Sequence, residues 1–238
     1  MARLERSLGE LKIPQPMTRP ALAHVMRETL RRNRVRNGTI YLQVTRGQAP
    51  RDFNVPDPVP APTLVCLARQ ASPQRMENLA QAGSNIISQA DIRWGRCDIK
   101  TVMLLPAVLA KEAARSQGAR EAWLIGEDGF VTEGASSNAW IVTRAGEIVT
   151  RKADAAILPG ITRRTLLDLI EKEGLRFVER PFTISEAYEA AEAFITSASA
   201  TVMPVVRIDG RPIGEGRPGP IARALRAIFH QFAQLSET

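Results

Sequence analysis

Strand-like and helix-like stretches follow one another along this chain without the regular β-α-β alternation that a parallel, doubly wound sheet requires. PMTRPALAHVMRETLRRNR (16–34) predicts a helix, with Thr18 as its N-cap and Pro20 in its first turn. TIYLQVTRG (39–47) and PTLVCLARQ (62–70) are rich in β-branched and aromatic residues and predict strands, separated by a proline-rich loop. RQASPQRMENL then reads as a linker between a small domain, residues 1–72, and a larger one, 73–238. Further strands are expected near NIISQADIRW and EAWLIGEDGFVTEG, on either side of a helix over 103–117. SNAWIVT and GEIVTR (137–151) form a hairpin-like pair around Ala145-Gly146. TRRTLLDLIEKEG is an amphipathic helix closed by Gly174. ISEAYEAAEA predicts a helix opened by Thr183, with Glu186 at the capping-box spacing. AFITSASA and VVRIDGRPIG read as strands and GPIARALRAIFHQFAQL as a last helix, with no internal repeat. The mixture places the fold in the α+β class.

Composition narrows the function. With 238 residues, 44% hydrophobic and 24% charged, the chain reads as an ordinary soluble globular protein. Its apolar runs are too short to span a bilayer, and no basic-then-apolar leader precedes Arg3, so no membrane partner is expected. Two cysteines, Cys66 and Cys97, without an export signal point to a reducing cytoplasm. A charge of +7 and a pI near 10.1 would suit nucleic acid. However, the arginines are spread along the chain, and the densest group, RRNRVR (31–36), reads as a solvated helix end with no aromatic stacking motif beside it. The basic balance fits an enzyme handling phosphate and carboxylate anions better than a nucleic-acid binder. The two histidines, His24 and His230, lie in no motif, which makes a Ser-His-Asp or Cys-His mechanism hard to build. No zinc-ligand spacing occurs either. The reactive group of such an enzyme is expected to come from a cofactor, with no metal.

The chemistry concentrates in DIRWGRCDIK (91–100). Only five of the 32 basic residues are lysines, and Lys100 adjoins the apolar run TVMLLPAVLA. Desolvation there would lower its pKa and make the amine a nucleophile able to form a Schiff base. On spacing alone the commoner reading is a solvated residue at a helix start. Arg-Cys-Asp-Ile-Lys, preceded by Ile-Arg-Trp and followed by a Leu-Leu helix, resembles the cofactor-lysine segment of the D-amino-acid aminotransferases. These are fold-type-IV pyridoxal-phosphate enzymes, a group that also holds branched-chain aminotransferases and aminodeoxychorismate lyase. By that resemblance Lys100 would carry pyridoxal 5'-phosphate as a Schiff base.

The resemblance runs from Arg3 to about Gly219. In VTEGASSN (131–138), Glu133 would face the pyridinium nitrogen, with Ala135 where the family more often has serine. A turn carboxylate in solvent is the alternative reading. In ILPGITRR (157–164), Leu158 would pack on the ring, while Gly160 and the amides of Ile161 and Thr162 would meet the phosphate at a helix N-terminus. TSASATVMPV (196–205) resembles a second phosphate contact through Ser197 and Ser199. Ala198 stands there where threonine is common, a hydroxyl worth about 1 kcal/mol. ARLERSL (2–8) resembles an Arg-Leu-x-x-Ser signature in which Arg3 would clamp the phosphate. In TRGQAPRDFNVP (45–56), Arg51 matches an arginine that helps hold the substrate carboxylate, but Phe53 replaces a histidine and adds an apolar wall, which would either shift preference toward hydrophobic substrates or leave Arg51 to hold the carboxylate alone.

The resemblance implies a ping-pong aminotransferase moving an amino group between a D-amino acid and a 2-oxo acid. It also implies a larger domain built on a strongly curved sheet. A homodimer with sites at the interface is implied too, the Arg51 loop serving the partner's site. Family members carry further chain before the point matched by Met1, including small-domain strands and a substrate-pocket tyrosine. Without that segment the small domain is expected to expose a sheet edge, and turnover to suffer while cofactor binding survives. Aminodeoxychorismate lyase, branched-chain or (R)-amine aminotransferase activity, a catalytically impaired truncated homologue, or a catalytically dead basic binding protein are the rival readings.

Overall fold

The helix expected from Thr18 forms as α2 (Arg19–Arg32), its Thr18 hydroxyl accepting from the Ala21 amide and Pro20 in the first turn, where its missing N–H costs nothing. The computed structural model describes residues 1–235 and divides them into two units, one of Met1–Gln74 with Ile99–Thr101 and one of Arg75–Asp98 with the chain from Val102 onward. In the first unit ARLERSL is also helical, as α1 (Ala2–Glu10), which buries Ser7 and Leu8. Strands β1 (Gly38–Thr45) and β2 (Thr63–Gln70) pair antiparallel from Gly38 opposite Gln70 to Thr45 opposite Thr63, and α2 packs on β2.

RQASPQRMENL (69–79) holds the division between the two units, at Gln74/Arg75, but it is regular structure rather than open chain. Arg69 and Gln70 end β2, and the chain from Pro73 forms α3 (Pro73–Ala82), because Met76, Leu79 and Ala80 share one helical face and join the core of the second unit.

That unit is built on a mixed sheet. Its strands are β3 (Ser84–Ala90), β4 (Glu121–Ile125), β5 (Val131–Gly134), β6 (Asn138–Val142), β7 (Ile148–Thr150), β8 (Phe177–Glu179), β9 (Glu192–Ser197), β10 (Thr201–Ile208) and β11 (Arg211–Pro212). Their order is β5-β4-β3-β10-β9-β6-β7-β8, with β11 on β10. The pairs β3–β4, β3–β10 and β7–β8 are parallel and the others antiparallel, as an α+β fold allows. Four helices complete the unit: α4 (Leu105–Ser116), α5 (Ile161–Lys172), α6 (Ile184–Tyr188) and α7 (Pro220–Leu235).

Both faces of the sheet are covered, so alternate residues of one strand serve different cores. On β6 and β9, Ala139, Ile141, Ala193 and Ile195 join Ala80 of α3 and Ala187 of α6. Trp140, Val142 and Phe194 point the other way, onto Leu166 and Ile170 of α5 and Ala222 and Leu225 of α7. A third cluster packs Ala110 and Ala114 of α4 against Ile87, Ala122 and Leu124. Register then places Asn138, the first residue of β6, opposite Thr196 near the end of β9.

ISEAYEAAEA is helical only to Tyr188. Its tail becomes β9, because Ala193, Phe194 and Ile195 are needed on both sheet faces and the buried Glu192 carboxylate accepts the Ile221 and Ala222 amides at the start of α7 (2.9 and 2.8 Å). At the other end of α6 the Thr183 hydroxyl accepts the Glu186 amide at 3.1 Å, while the Glu186 carboxylate pairs with Arg180. Thr183→Ala should therefore lower the unfolding free energy by about 1 kcal/mol, read as a lower denaturant midpoint at unchanged slope. Among the described residues no helix is long and apolar enough to cross a membrane.

Candidate active site

Where β3 ends, Asp91 and Arg93 lock together: Arg93 donates Nε to Asp91 Oδ1 (2.9 Å) and Nη2 to Oδ2 (2.7 Å). The Thr132 hydroxyl donates to the same carboxylate at 2.7 Å. The remaining arm of Arg93, Nη1, reaches Oε1 of Glu133 on β5 at 2.5 Å. Glu133 is 4% exposed. It accepts two further donors, Asn138 Nδ2 at 2.8 Å and the Leu158 amide, shared between both oxygens at 3.1 Å. Burial pushes the Glu133 carboxyl up to about 7, against the pull of the Arg93 charge and hydrogen bond. Asp91 is also penalised by burial, but Arg93 and Thr132 outweigh that and hold it below the usual carboxylate range.

Two consequences follow from counting. A carboxylate offers about four acceptor sites, and three donors leave one open. With both acids ionised, Asp91, Arg93 and Glu133 together carry one uncompensated negative charge in a buried place, which favours a cation there. Cys97, whose thiol donates to the Trp94 carbonyl at 3.1 Å, is pushed up by burial and stays a thiol rather than a nucleophile.

Asn138 ties this acid to α5. Its Nδ2 also donates to the Leu158 carbonyl (3.0 Å), and a Cβ at Gly160 would collide with its Oδ1. The glycine is thus required by the Asn138 side chain; its φ of −60° is ordinary. As N-cap of α5, Gly160 supplies no side-chain acceptor, so the first-turn amides keep their affinity for an anion. Leu158 is half-buried, Ile161 exposed and Thr162 buried. Below them the buried Arg163 donates to the Arg151 carbonyl (2.8 Å), pairs with Glu179 and lies over the Trp140 ring.

At the end of β9 the Ser197 hydroxyl accepts the Ala200 amide (3.2 Å), which leaves its proton to donate, and Ser199 is exposed. Thr201 closes this turn at φ +55°, a left-handed conformation that a β-branched residue rarely adopts. Arg226 of α7 braces it, with Nη1 in reach of the Ala200 and Val202 carbonyls (2.9 and 2.8 Å) and the Thr201 hydroxyl (2.9 Å).

In the other unit the Lys100 amide donates to the Ser7 hydroxyl at 3.4 Å, linking the lysine to the Arg-Leu-x-x-Ser helix. The Lys100 side chain is exposed, contrary to the desolvation expected of it. The apolar run that follows is itself exposed: Val102, Met103, Leu104, Leu105, Val108 and Leu109 are each 52–69% accessible. Arg3 is half-buried in α1, and burial, then the neighbouring Arg6, lowers its pKa. Arg51 and Phe53 sit on an exposed loop, with the guanidinium 5.4 Å from the centre of the Phe53 ring, which is itself 94% accessible.

The Amino-transferase class IV family model matches residues 1–208 of this chain. A D-alanine aminotransferase of Staphylococcus haemolyticus is 40% identical to it over 232 residues, 98% of this chain and 81% of that protein. The chain belongs to the class IV aminotransferases. It is accordingly a pyridoxal-phosphate-dependent aminotransferase with the expected fold-type-IV architecture. Among solved structures, the T.th. branched-chain amino acid aminotransferase with pyridoxamine 5'-phosphate is similar at a TM-score of 0.87 and 28% identity, over 97% of this chain and 76% of that one. The Escherichia coli branched-chain amino acid aminotransferase shares the fold at a TM-score of 0.88 and 23% identity, over 97% of this chain and 77% of that one.

In this class IV aminotransferase the supporting residues are harder to read than the motif residues. Asp91 and Arg93 lie inside the decapeptide that singles out Lys100, and their i, i+2 spacing in extended chain puts both side chains on one side, a signal present in the letters. Arg226 offers none, since only the tertiary fold brings α7 to the turn at Thr201.

Proposed function

We propose that this chain moves an amino group between a D-amino acid and a 2-oxo acid by a ping-pong mechanism. The observation that carries the reading is the buried Glu133 carboxylate, with one acceptor site open and one negative charge uncompensated. A protonated pyridine nitrogen matches both needs. The uncapped N-terminus of α5 suits a phosphate, and with Glu133 in the same unit it makes a donor set that fits pyridoxal phosphate. The 40% identity to a D-alanine aminotransferase supports the choice of a D-amino acid.

In this reading Arg3, the amides of Ile161 and Thr162 beyond Gly160, and the hydroxyls of Ser197 and Ser199 hold the phosphate. Leu158 packs on the ring, and Glu133 holds the proton on its nitrogen. When bound, the group supplies an electron sink for negative charge at the substrate α-carbon. Lys100 is the covalent attachment point, and once released its amine carries the proton to and from that α-carbon. Arg51 binds the substrate carboxylate, and Phe53 provides an apolar wall beside it. The contiguous exposed apolar residues from Val102 to Leu109 support a homodimer.

Purified protein given pyruvate or 2-oxoglutarate and, in turn, D-alanine, L-valine and an (R)-amine tests the substrate. Faster transfer from D-alanine is expected; faster transfer from L-valine or the amine would replace this reading with a branched-chain or amine transaminase.

Glu133 also makes a pH prediction. Its folded pKa of about 7 lies above the ordinary 4.5, so between those values the folded chain holds a proton that the unfolded chain has released. Stability from this group is therefore present below pH 4.5 and lost as pH rises to about 7, by about 3 kcal/mol in all. In Glu133→Gln this dependence disappears. Denaturation of both proteins without cofactor, across that window, should show wild type losing ground to the variant as pH rises. A constant difference would contradict the account.

A further inference from the structure

We propose that Arg93, clamped by Asp91 and Thr132, is the positioning residue that favours the anionic form of Glu133 and aims its open acceptor site at the bound heterocycle. The inference rests on the cofactor reading above and deepens it.

The geometry separates three tasks. Asn138 and the Leu158 amide orient the Glu133 carboxylate, but both are neutral. The charged or titratable groups set against it are Arg93, Asp91 and Cys97, all from the segment that follows β3. Arg93 is the cation among them. Its guanidinium cannot swing, because Asp91 takes the whole Nε–Nη2 edge and the Ala156 carbonyl accepts Nη2 as well, at 3.1 Å. Only Nη1 is left to face Glu133.

Asp91 does more than hold the arginine. Glu133 facing Arg93 alone would be neutralised and would have little pull on a ring proton. With Asp91 sharing the guanidinium, Arg93 favours the Glu133 anion without cancelling it, and the ionised trio lacks one positive charge. The pair thus makes the site accept a protonated heterocycle in preference to a neutral one. A lysine at position 93 would restore the charge but not the two-edged fork.

The two members of the pair should act in opposite directions, which a merely structural role would not produce. In the full chain labelled with carbon-13 at glutamate carboxyls, the Glu133 resonance is the one missing from Glu133→Gln. Its titration midpoint is expected to rise by at least about one pH unit in Arg93→Gln, a tenfold drop in the ionisation constant, and to fall in Asp91→Asn. Arg93→Lys should lie between wild type and Arg93→Gln. With pyridoxal phosphate bound, the visible band should change its pH dependence in the same order, and Arg93→Gln should lower kcat at neutral pH by on the order of 10- to 100-fold with less change in KM. Thermal unfolding checks that each variant is folded; should Arg93→Gln fail to fold, the downward shift in Asp91→Asn still decides. Unmoved midpoints, or shifts of the same sign in both variants, overturn the inference. Opposed shifts in a protein that takes up no pyridoxal phosphate would uphold the charge coupling and defeat the cofactor reading instead.

Discussion

Lys100→Ala is expected to lower amino transfer at least about 10²–10⁴-fold, the scale of a lost proton-transferring group, and to remove covalent attachment of the cofactor as well. Stability should hardly change. The side chain is exposed, and substitutions at such positions ordinarily stay within about 0.5 kcal/mol. The Lys100 backbone amide, which donates to the Ser7 hydroxyl of α1, survives the change. A thermal midpoint equal to that of wild type beside abolished turnover would mark the loss as chemical. Retained normal turnover would remove Lys100 from the reaction.

The largest stability effect is expected at Trp140. It is fully buried, stacks on Phe194 at 5.3 Å with planes 13° apart, and donates its indole N–H to the Thr196 hydroxyl at 2.9 Å. Trp140→Ala should cost about 3–5 kcal/mol, a large part of what a domain has to spare, read as a lower denaturant midpoint. Its consequences should reach the site, because Arg163 of α5 lies over the indole and Thr196 adjoins Ser197. Looser cofactor phosphate binding should accompany the lost stability. Trp140→Phe should cost less in packing while leaving the Thr196 hydroxyl without this partner. If the alanine variant kept full stability, the core between the sheet, α5 and α7 would not be organised as described.

How far the letters reach depends on how local each feature is. The hairpin around Gly146, the Gly174 stop of α5 and the Thr18 and Thr183 caps are legible, since each is set by residues within a few positions. The short β8 and the early end of α6 are not, because they depend on the distant β7 and α7. The polar letters of α3 read as a linker, although Met76, Leu79 and Ala80 carry helical spacing through them. In the candidate site the motif residues are legible by resemblance, but their supports are less so. By its letters Gly160 admits a ligand, whereas in the fold its missing Cβ makes room for Asn138. The apolar neighbours of Lys100 suggest desolvation, but burial is a property of the fold rather than of adjacency.

The proposed chemistry turns on one lysine and one cofactor. The purified full chain should be mixed with pyridoxal phosphate, its visible spectrum recorded, and the adduct reduced with borohydride before peptide mapping. A visible band lost on reduction, with the pyridoxyl group on the peptide holding Lys100, is the predicted result. A label on Lys111, Lys152 or another lysine, or no label at all, would contradict it.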